Sequence, residues 1–480
     1  MRLSCEPPTM SAVPFDVKKI AVIGAGPTGL AAARYLEAQG AFESIVVFEQ
    51  QAEVGGVWNY SEHPTNSLHV PQTDPFCPQD PPIRPNPDEP PVFPTPMYGT
   101  LHANTVKTTM LYKDTPFPED AWVFPSRQSI YNYLVKYANQ VRHLIKFSHQ
   151  VKALDLRQEN GRDKWDLKAT CTVTGRAFSD TYDAVVIANG HYDVPYIPDV
   201  KGIKAYHEAH PNAILHSKNY RVPAPFAGQK VIVVGNGPSG LDIARQISPL
   251  ADKVFLSVHH PTPPDKVDHI GVVEVPAIEE YLPEKKAVRF SDGKIEENVS
   301  TVIYCTGFFF SFPFLPDILR PNLLTTGKGV RGLYQHLFLI KHPTLAFAGL
   351  LVKTVPWPLA ETQAAVLGVV WSNGLSLPPV EEQEKWELAL FKRRGDKNIH
   401  VLVDDGDDGR FLNSLHDWAL ESTKKGKEPP YWHDEQFWER SIYYQSKQEF
   451  EKQGGVATSL RELGFAYPGK GKWKFLPSKL

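Results

Sequence analysis

Two glycine fingerprints, Gly24-Ala25-Gly26-Pro27-Thr28-Gly29 and Gly235-Asn236-Gly237-Pro238-Ser239-Gly240, stand about two hundred residues apart in this chain. Each follows a β-rich apolar run and opens a helical pattern, the context that separates a phosphate-binding turn from a chance run of glycines. Lys18 to Ile23 reads as a buried parallel strand, and Leu30 to Gln39 as a helix with Gly40 for its C-cap. Gly24 permits the tight turn, Gly26 lets the backbone approach a pyrophosphate, and Gly29 closes helix on strand. The exposed N–H groups at the helix start would then hold the phosphates. The next strand, Ile45 to Phe48, ends in Glu49, placed to bind ribose hydroxyls. A carboxylate there suits FAD or NAD and repels a 2′-phosphate.

The second unit repeats the plan with one difference. Lys230 to Val234 leads into its glycines, and a helix runs from Ser239 to about Ile247, with Leu241 and Asp242 in its first turn. An acid in that turn also favours the helix dipole, so Asp242 has a structural reading beside its cofactor-binding one. The following strand, Lys253 to Val258, ends in His259 and His260 with Lys266 nearby. No carboxylate follows to reject a 2′-phosphate, which favours NADPH. Two dinucleotide sites in one chain imply a flavin facing a nicotinamide and electron transfer between them. The expected fold class is α/β, with two Rossmann-like units. The FAD domain is split into residues 1–204 and 321–480, the second part ending in a helical region and tail, and the NADPH domain 205–320 is inserted between them. Pro195, Pro198 and Pro313 stiffen the crossings.

With 480 residues, 42% of them hydrophobic, the chain can bury a large core, and its formal charge of −3 gives no electrostatic case for nucleic acid. No apolar run is long enough to span a bilayer, and the first residues lack a basic-then-apolar signal pattern. Cys5, Cys77, Cys171 and Cys305 show neither CxxC nor metal spacing. They read as reduced structural thiols of an intracellular protein, which argues against a disulfide reductase. The proline-rich stretch Pro71 to Pro96 reads as an extended surface loop inside the first domain. Asp404 to Gly409 lacks the spacing and closing glutamate of a calcium loop and reads as an acidic turn; no metal site is expected. The tryptophans gathered at 357, 371, 386, 418, 432 and 438 read as buried structural aromatics. The last residues, Ser478-Lys479-Leu480, spell the peroxisomal address, so a peroxisomal import receptor is an expected partner, with the cytoplasm as the alternative location. Homo-oligomerisation is left open.

Several segments together resemble the flavin-containing monooxygenases, especially the soluble fungal type. Gly55-Gly56-Val57-Trp58-Asn59-Tyr60 is similar to the family's GGxW segment beside the flavin. Ala188-Asn189-Gly190-His191-Tyr192 and Cys305-Thr306-Gly307-Phe308 resemble its two strand-end turns, where the chain crosses between domains. His216, Tyr220 and Pro223 match the end of the signature FxGxxxHxxx[YF]xx[PD], while His210 and Asn212 depart from its start. The resemblance runs from about Lys18 to Trp371. In Leu101-His102-Ala103-Asn104-Thr105, Asn104 matches the family asparagine over the flavin and is the expected catalytic residue, donating a hydrogen bond to flavin-bound oxygen.

The resemblance implies cofactor contacts from both fingerprints, Glu49, Gln50, Gly56, Val57, Trp58, Ala103, Asn104, Thr105, Val151, Leu241, Asp242, Thr306, Gly307 and Gln363. It places a strand and helix, Leu345 to Leu350 then Pro356 to Gln363, under the flavin ring. The implied activity is NADPH-dependent formation of a flavin C4a-hydroperoxide that oxygenates a soft amine nitrogen or sulfur of a small molecule, with dioxygen as co-substrate. Tyrosine at 220, where the Baeyer–Villiger sister group carries tryptophan, points to heteroatom rather than ketone oxidation. The alternatives are an uncoupled NADPH oxidase releasing peroxide, a Baeyer–Villiger-type enzyme, and a non-catalytic sensor binding both nucleotides.

Overall fold

Each fingerprint lies at the carboxyl end of its own parallel strands. The computed structural model describes residues 14–65, 68–86, 89–402 and 406–475. In the first sheet Lys19–Ile23 pairs in parallel with Ser44–Phe48 on one side and Ala184–Ile187 on the other. Leu345–Phe347 extends the sheet in parallel beyond Ala184–Ile187, and Ile145–Lys146 extends it beyond Ser44–Phe48. These strands are continuously apolar because both faces are covered. Ile20 and Val22 meet the helices Pro27–Gln39 and Pro356–Trp371, whereas Ala21 and Ile23 meet an antiparallel meander, His149–Glu159, Arg162–Cys171 and Ala177–Tyr182. The helix Pro356–Trp371 is buried from its second residue onward, which explains why its sequence is apolar on every side.

The second sheet is parallel throughout, in the order Val273–Pro276, Lys253–Val258, Lys230–Val234, Thr301–Tyr304, Ile214–His216. Ile243, Ala244 and Ile247 of the helix Pro238–Ile247 cover one face through Val231 and Val233. Tyr206, Tyr281 and Val288 cover the other through Ile232 and Val302.

The two crossings are paired with each other: Val194–Pro195 runs antiparallel to Phe308–Phe309. Core membership corrects the expected boundaries at 204 and 320. Ile197 and Ile203 already pack into the nucleotide unit, while Phe310, Phe312 and Phe314 have returned to the FAD unit. Prolines mark where a chain turns, but side-chain burial decides where a domain begins. The proline-rich loop also reaches further than expected. Gln72 bridges to Ile197, and Asp80 accepts from Lys218 Nζ at 2.7 Å, so the loop spans both units.

Among the described residues no helix is long and apolar enough to cross a membrane, and no group of three His, Cys, Asp or Glu could hold a metal. Cys5, Asp404, Asp405 and Ser478-Lys479-Leu480 lie outside the described residues. Of the acidic turn, Asp408 is structural: its carboxylate accepts from Val355 N at 3.2 Å and Arg440 Nε at 2.8 Å.

Candidate active site

The two fingerprints are built alike. Gly24 has φ +102° and Gly235 φ +105°, and a β-carbon on either would stand within 3 Å of a carbonyl oxygen, that of Ala188 or Cys305. These are the two strand-end turns singled out in the sequence. A β-carbon on Gly29 or Gly240 would lie 1.8 Å from the carbonyl oxygen of Gly24 or Gly235. The middle glycines differ. Gly26 meets only Gly56, whose Cα would be 3.4 Å away, and Gly237 meets nothing within 4 Å. Open backbone there, at the start of a helix whose first N–H groups point outward, is a cradle for a pyrophosphate. Both helices start at a proline, Pro27 and Pro238, with Thr28 and Ser239 next, three residues and one residue earlier than the apolar pattern indicated. Proline's fixed φ suits the first helical position, where no N–H partner is needed.

Glu49 is buried at the end of Ser44–Phe48, where Oε2 accepts from Ala25 N at 2.8 Å and Oε1 from Gln51 N at 2.9 Å. It thus ties the strand end to the second residue of the fingerprint. Burial pushes its carboxyl up to about 7, against those backbone donors. Gln50 Oε1 accepts from Gln150 Nε2 at 3.2 Å, and His149 N donates to the Glu49 carbonyl at 2.7 Å, while Val151 lies in the core cluster that holds Phe48.

Gly56, Val57 and Trp58 form one 3-10 turn stacked on Gly26. Trp58 meets Trp357, at the head of the Pro356–Trp371 helix, edge to face at 6.5 Å. From that helix Gln363 accepts Gly349 N at 3.0 Å, and a β-carbon on Gly349 would stand 2.6 Å from Thr28 Oγ1. Gln363 Nε2 is buried without a protein partner, an orphan donor that a flavin carbonyl or phosphate would satisfy.

Asn104 is exposed, and its side chain has no partner among the described residues. Its loop is nonetheless fixed. Ala103 N donates to Pro125 O at 2.8 Å, the Ala103 carbonyl accepts from Lys447 Nζ at 2.9 Å, and Arg127 N donates to Leu101 O at 2.9 Å. The Arg127 guanidinium lies 4.1 Å above the Tyr60 ring, which joins the GGVWNY segment to the Asn104 loop. With both backbone groups of Ala103 engaged, its expected cofactor contact reduces to the methyl group. Thr105 follows it, half-buried.

Three residues expected to contact the cofactor in the second unit also make bonds within the protein. Asp242 accepts from the Tyr98 hydroxyl across the domain contact, and from Arg245 at 2.5 Å and Gln246 Nε2 at 3.0 Å on its own helix. The Thr306 hydroxyl donates to the Tyr196 carbonyl. The Gly307 carbonyl accepts from Tyr196 N at 3.0 Å and from His216 Nε2 at 3.1 Å. Thr306 and Gly307 therefore spend their polar groups on the crossing, leaving the open α-face of Gly307 for a ligand. Leu241 packs partly into the nucleotide core. His216 is fully buried, and burial pushes its ring down to about 3; because Nδ1 accepts from Lys218 N at 3.1 Å, Nε2 carries the proton. With Tyr220, whose hydroxyl donates to Gln246 at 3.0 Å, it positions the nucleotide unit.

The residues present fit both nucleotides: two open glycine cradles, an acid at one strand end, exposed His259 and His260 at the other, and an orphan amide beside Thr28. Sequence reasoning missed Lys447 and gave no contact to Tyr60, Tyr98 or Arg127, which it placed only in segments resembling the family; their roles arise from packing between distant segments.

Comparison with known proteins agrees with this construction. The family described as flavin-binding monooxygenase-like matches residues 93–262 and 264–400, and an NAD(P)-binding Rossmann-like domain matches residues 22–72. The flavin-containing monooxygenase FMO GS-OX-like 4 of Arabidopsis thaliana is 32% identical, over 77% of this chain and 79% of its own. The thiol-specific monooxygenase of Saccharomyces cerevisiae is 29% identical, over 90% of this chain and 93% of its own. The solved structure of S-allyl-L-cysteine S-oxygenase from Allium sativum, 24% identical, shares the fold with a TM-score of 0.74, covering 94% of this chain and 98% of that one. This chain belongs to the flavin-binding monooxygenase-like family and is an FAD- and NADPH-dependent monooxygenase.

Proposed function

We propose that the chain oxygenates the sulfur of a small thiol or thioether, with NADPH as reductant and dioxygen as the oxygen source. The observation that carries the reading is the Asn104 amide, exposed and unpartnered on a loop whose backbone is held on both sides. A free amide on a held backbone serves a reaction in which the nucleophile needs no deprotonation by a base. When bound, FAD reduced by NADPH supplies the oxygen-transfer chemistry. The chain's own part is to bind and orient. Gly26, Thr28 and the helix start hold the pyrophosphate, Glu49 takes the ribose hydroxyls, and Gln363 Nε2 donates to the flavin. Gly237 and Ser239 receive the NADPH phosphates. Asn104 donates to the reacting oxygen and keeps water from taking its place. The choice of sulfur over nitrogen is supported by relatives whose names specify thiol or S-oxygenation.

The test is stoichiometric. Purified yellow protein is supplied with NADPH, oxygen and in turn a thiol, a thioether and a tertiary amine, and NADPH consumed, product formed and peroxide released are counted together. Near one product per NADPH with sulfur substrates is expected. Peroxide in place of product with every substrate would establish the oxidase, and an amine preference would overturn the sulfur assignment. For location, we propose peroxisomal import through Ser478-Lys479-Leu480; residues 470–480 fused as the free C-terminus of a fluorescent protein should carry it into peroxisomes, and the same fusion lacking the last three residues should not.

A further inference from the structure

The loop bearing Asn104 is gripped from two directions. From the nucleotide unit, Asp242 accepts the Tyr98 hydroxyl, Arg221 O accepts Gly99 N at 3.1 Å, and Gln246 Oε1 accepts Thr100 Oγ1 at 2.6 Å. From the C-terminal region comes the helix Tyr443–Lys452, whose Lys447 Nζ donates to the Ala103 carbonyl. The same helix also reaches the nucleotide unit. Gln448 Nε2 and the Tyr444 hydroxyl donate to Asp265 O at 2.9 Å and 3.3 Å, and Glu451 lies 3.5 Å from Arg245 Nε.

Lys447 is an expensive choice for that place. Its side chain is only 14% exposed, its ammonium faces the rings of Phe124 at 5.0 Å and Phe450 at 5.4 Å, and its nearest carboxylate, Glu451, is 3.9 Å away. Docking this helix on an aromatic surface would be served as well by methionine, without the desolvation that a buried ammonium incurs. What only a cationic donor supplies is a strong hydrogen bond to the carbonyl one residue before Asn104.

We propose that Lys447 is a positioning residue for the reaction: by holding the Ala103 carbonyl it sets the placement of the Asn104 amide, and through its helix ties that placement to the docking of the NADPH unit. The proposal rests on the reading of Asn104 given above. The groups facing Lys447 are Glu451 on its own helix, Asp242 and Arg245 on the nucleotide-domain helix, and His102 on the loop. Burial pushes the Lys447 ammonium down to about 8; Glu451 and Asp242 oppose this and Arg245 adds to it. The same burial, with Lys447 next, pushes His102 down to about 4, so its ring is neutral throughout the working range.

In Lys447→Met, amide exchange across residues 101–106 of the cofactor-free protein should accelerate, while product per NADPH falls about tenfold in favour of peroxide, as small displacements of a reacting group do. Anaerobic flavin reduction by NADPH should stay within about twofold, because Gln448, Tyr444 and Glu451 still dock the helix on the nucleotide unit. Lys447→Arg keeps donor and charge and should restore both readouts. Coupling in the unaltered protein should decline above about pH 8, and in Lys447→Arg it should not. Unchanged coupling in Lys447→Met, or identical pH profiles for the unaltered protein and Lys447→Arg, would overturn the proposal. The second comparison decides it even if the methionine variant does not fold. Asn104→Ala separates the two readings. If it uncouples while Lys447→Met does not, positioning fails alone; if it stays coupled, the reading of Asn104 fails and the proposal with it.

Discussion

At the scale of single residues, Glu49 shows how one carboxylate can serve the fold and the cofactor with opposite pH dependences. Its raised value near 7 comes first from burial. In the cofactor-free protein the folded state takes up its proton more readily than the unfolded chain does. The ionised form therefore costs stability at pH 7, and that cost is relieved as pH falls through about 7 towards 4.5. FAD binding runs the other way, since a protonated carboxyl cannot accept from Ala25 N, Gln51 N and ribose hydroxyls together. The FAD dissociation constant of the apoprotein should rise as pH drops below about 7, and Glu49→Gln should bind FAD more weakly at pH 8 with little dependence on pH. Fluorescence titration of apoprotein with FAD at several pH values checks this; equal slopes in the two proteins would remove the ribose role.

At the scale of elements, the start of each fingerprint helix separates fold from ligand binding within one turn. Gly240 has a carbonyl oxygen where a β-carbon would go, whereas Gly237 has an ordinary φ of −72° and open space. Gly237→Ala should fold and bind FAD normally yet raise the KM for NADPH at least about tenfold, because the added methyl stands where the pyrophosphate must approach. Gly240→Ala should instead lower the yield of folded protein. Steady-state kinetics on the first variant and thermal unfolding of the second distinguish the two effects. These fingerprint strands and helices were legible in the sequence because local signals agree there: apolar strand, glycine turn, proline, helix. The meander 149–182 went unread despite alternating inward residues such as Trp165, Leu167 and Ala169, for the register of its first strand shifts between Val151 and Ala153 and breaks the period of two. Lys447 left no sequence signal either, since a lysine on a short amphipathic helix reads as solvated until a remote loop covers it.

At the scale of the whole molecule, an ion cluster built around a buried lysine fastens the units together. Lys218 Nζ lies 2.7 Å from Asp80 of the proline-rich loop and 2.6 Å from Asp193 at the crossing, with its side chain 1% exposed. Burial alone would depress its ammonium, but the two carboxylates outweigh this and hold it above its usual value. Lys218→Met removes the charge-assisted hydrogen bonds to Asp80 and to the partly exposed Asp193 and should cost about 2 kcal/mol, seen as a lower thermal midpoint and faster proteolysis of the loop 71–96. A midpoint unchanged within a degree would show that water reaches the cluster. Nothing local predicted it, for its members come from three separate segments of the chain.

The adjacency of the two crossings also bears on how such a molecule can be rebuilt. Val194–Pro195 and Phe308–Phe309 lie side by side, so the inserted unit enters and leaves through one doorway, its ends about one strand spacing apart. Removing it would leave a gap in the FAD unit that a short turn can bridge, and a foreign nucleotide unit with neighbouring termini could be grafted into the same opening. The identity of the electron donor is in this sense an exchangeable part, while the Asn104 loop, gripped by both units, is where any graft would have to be refitted.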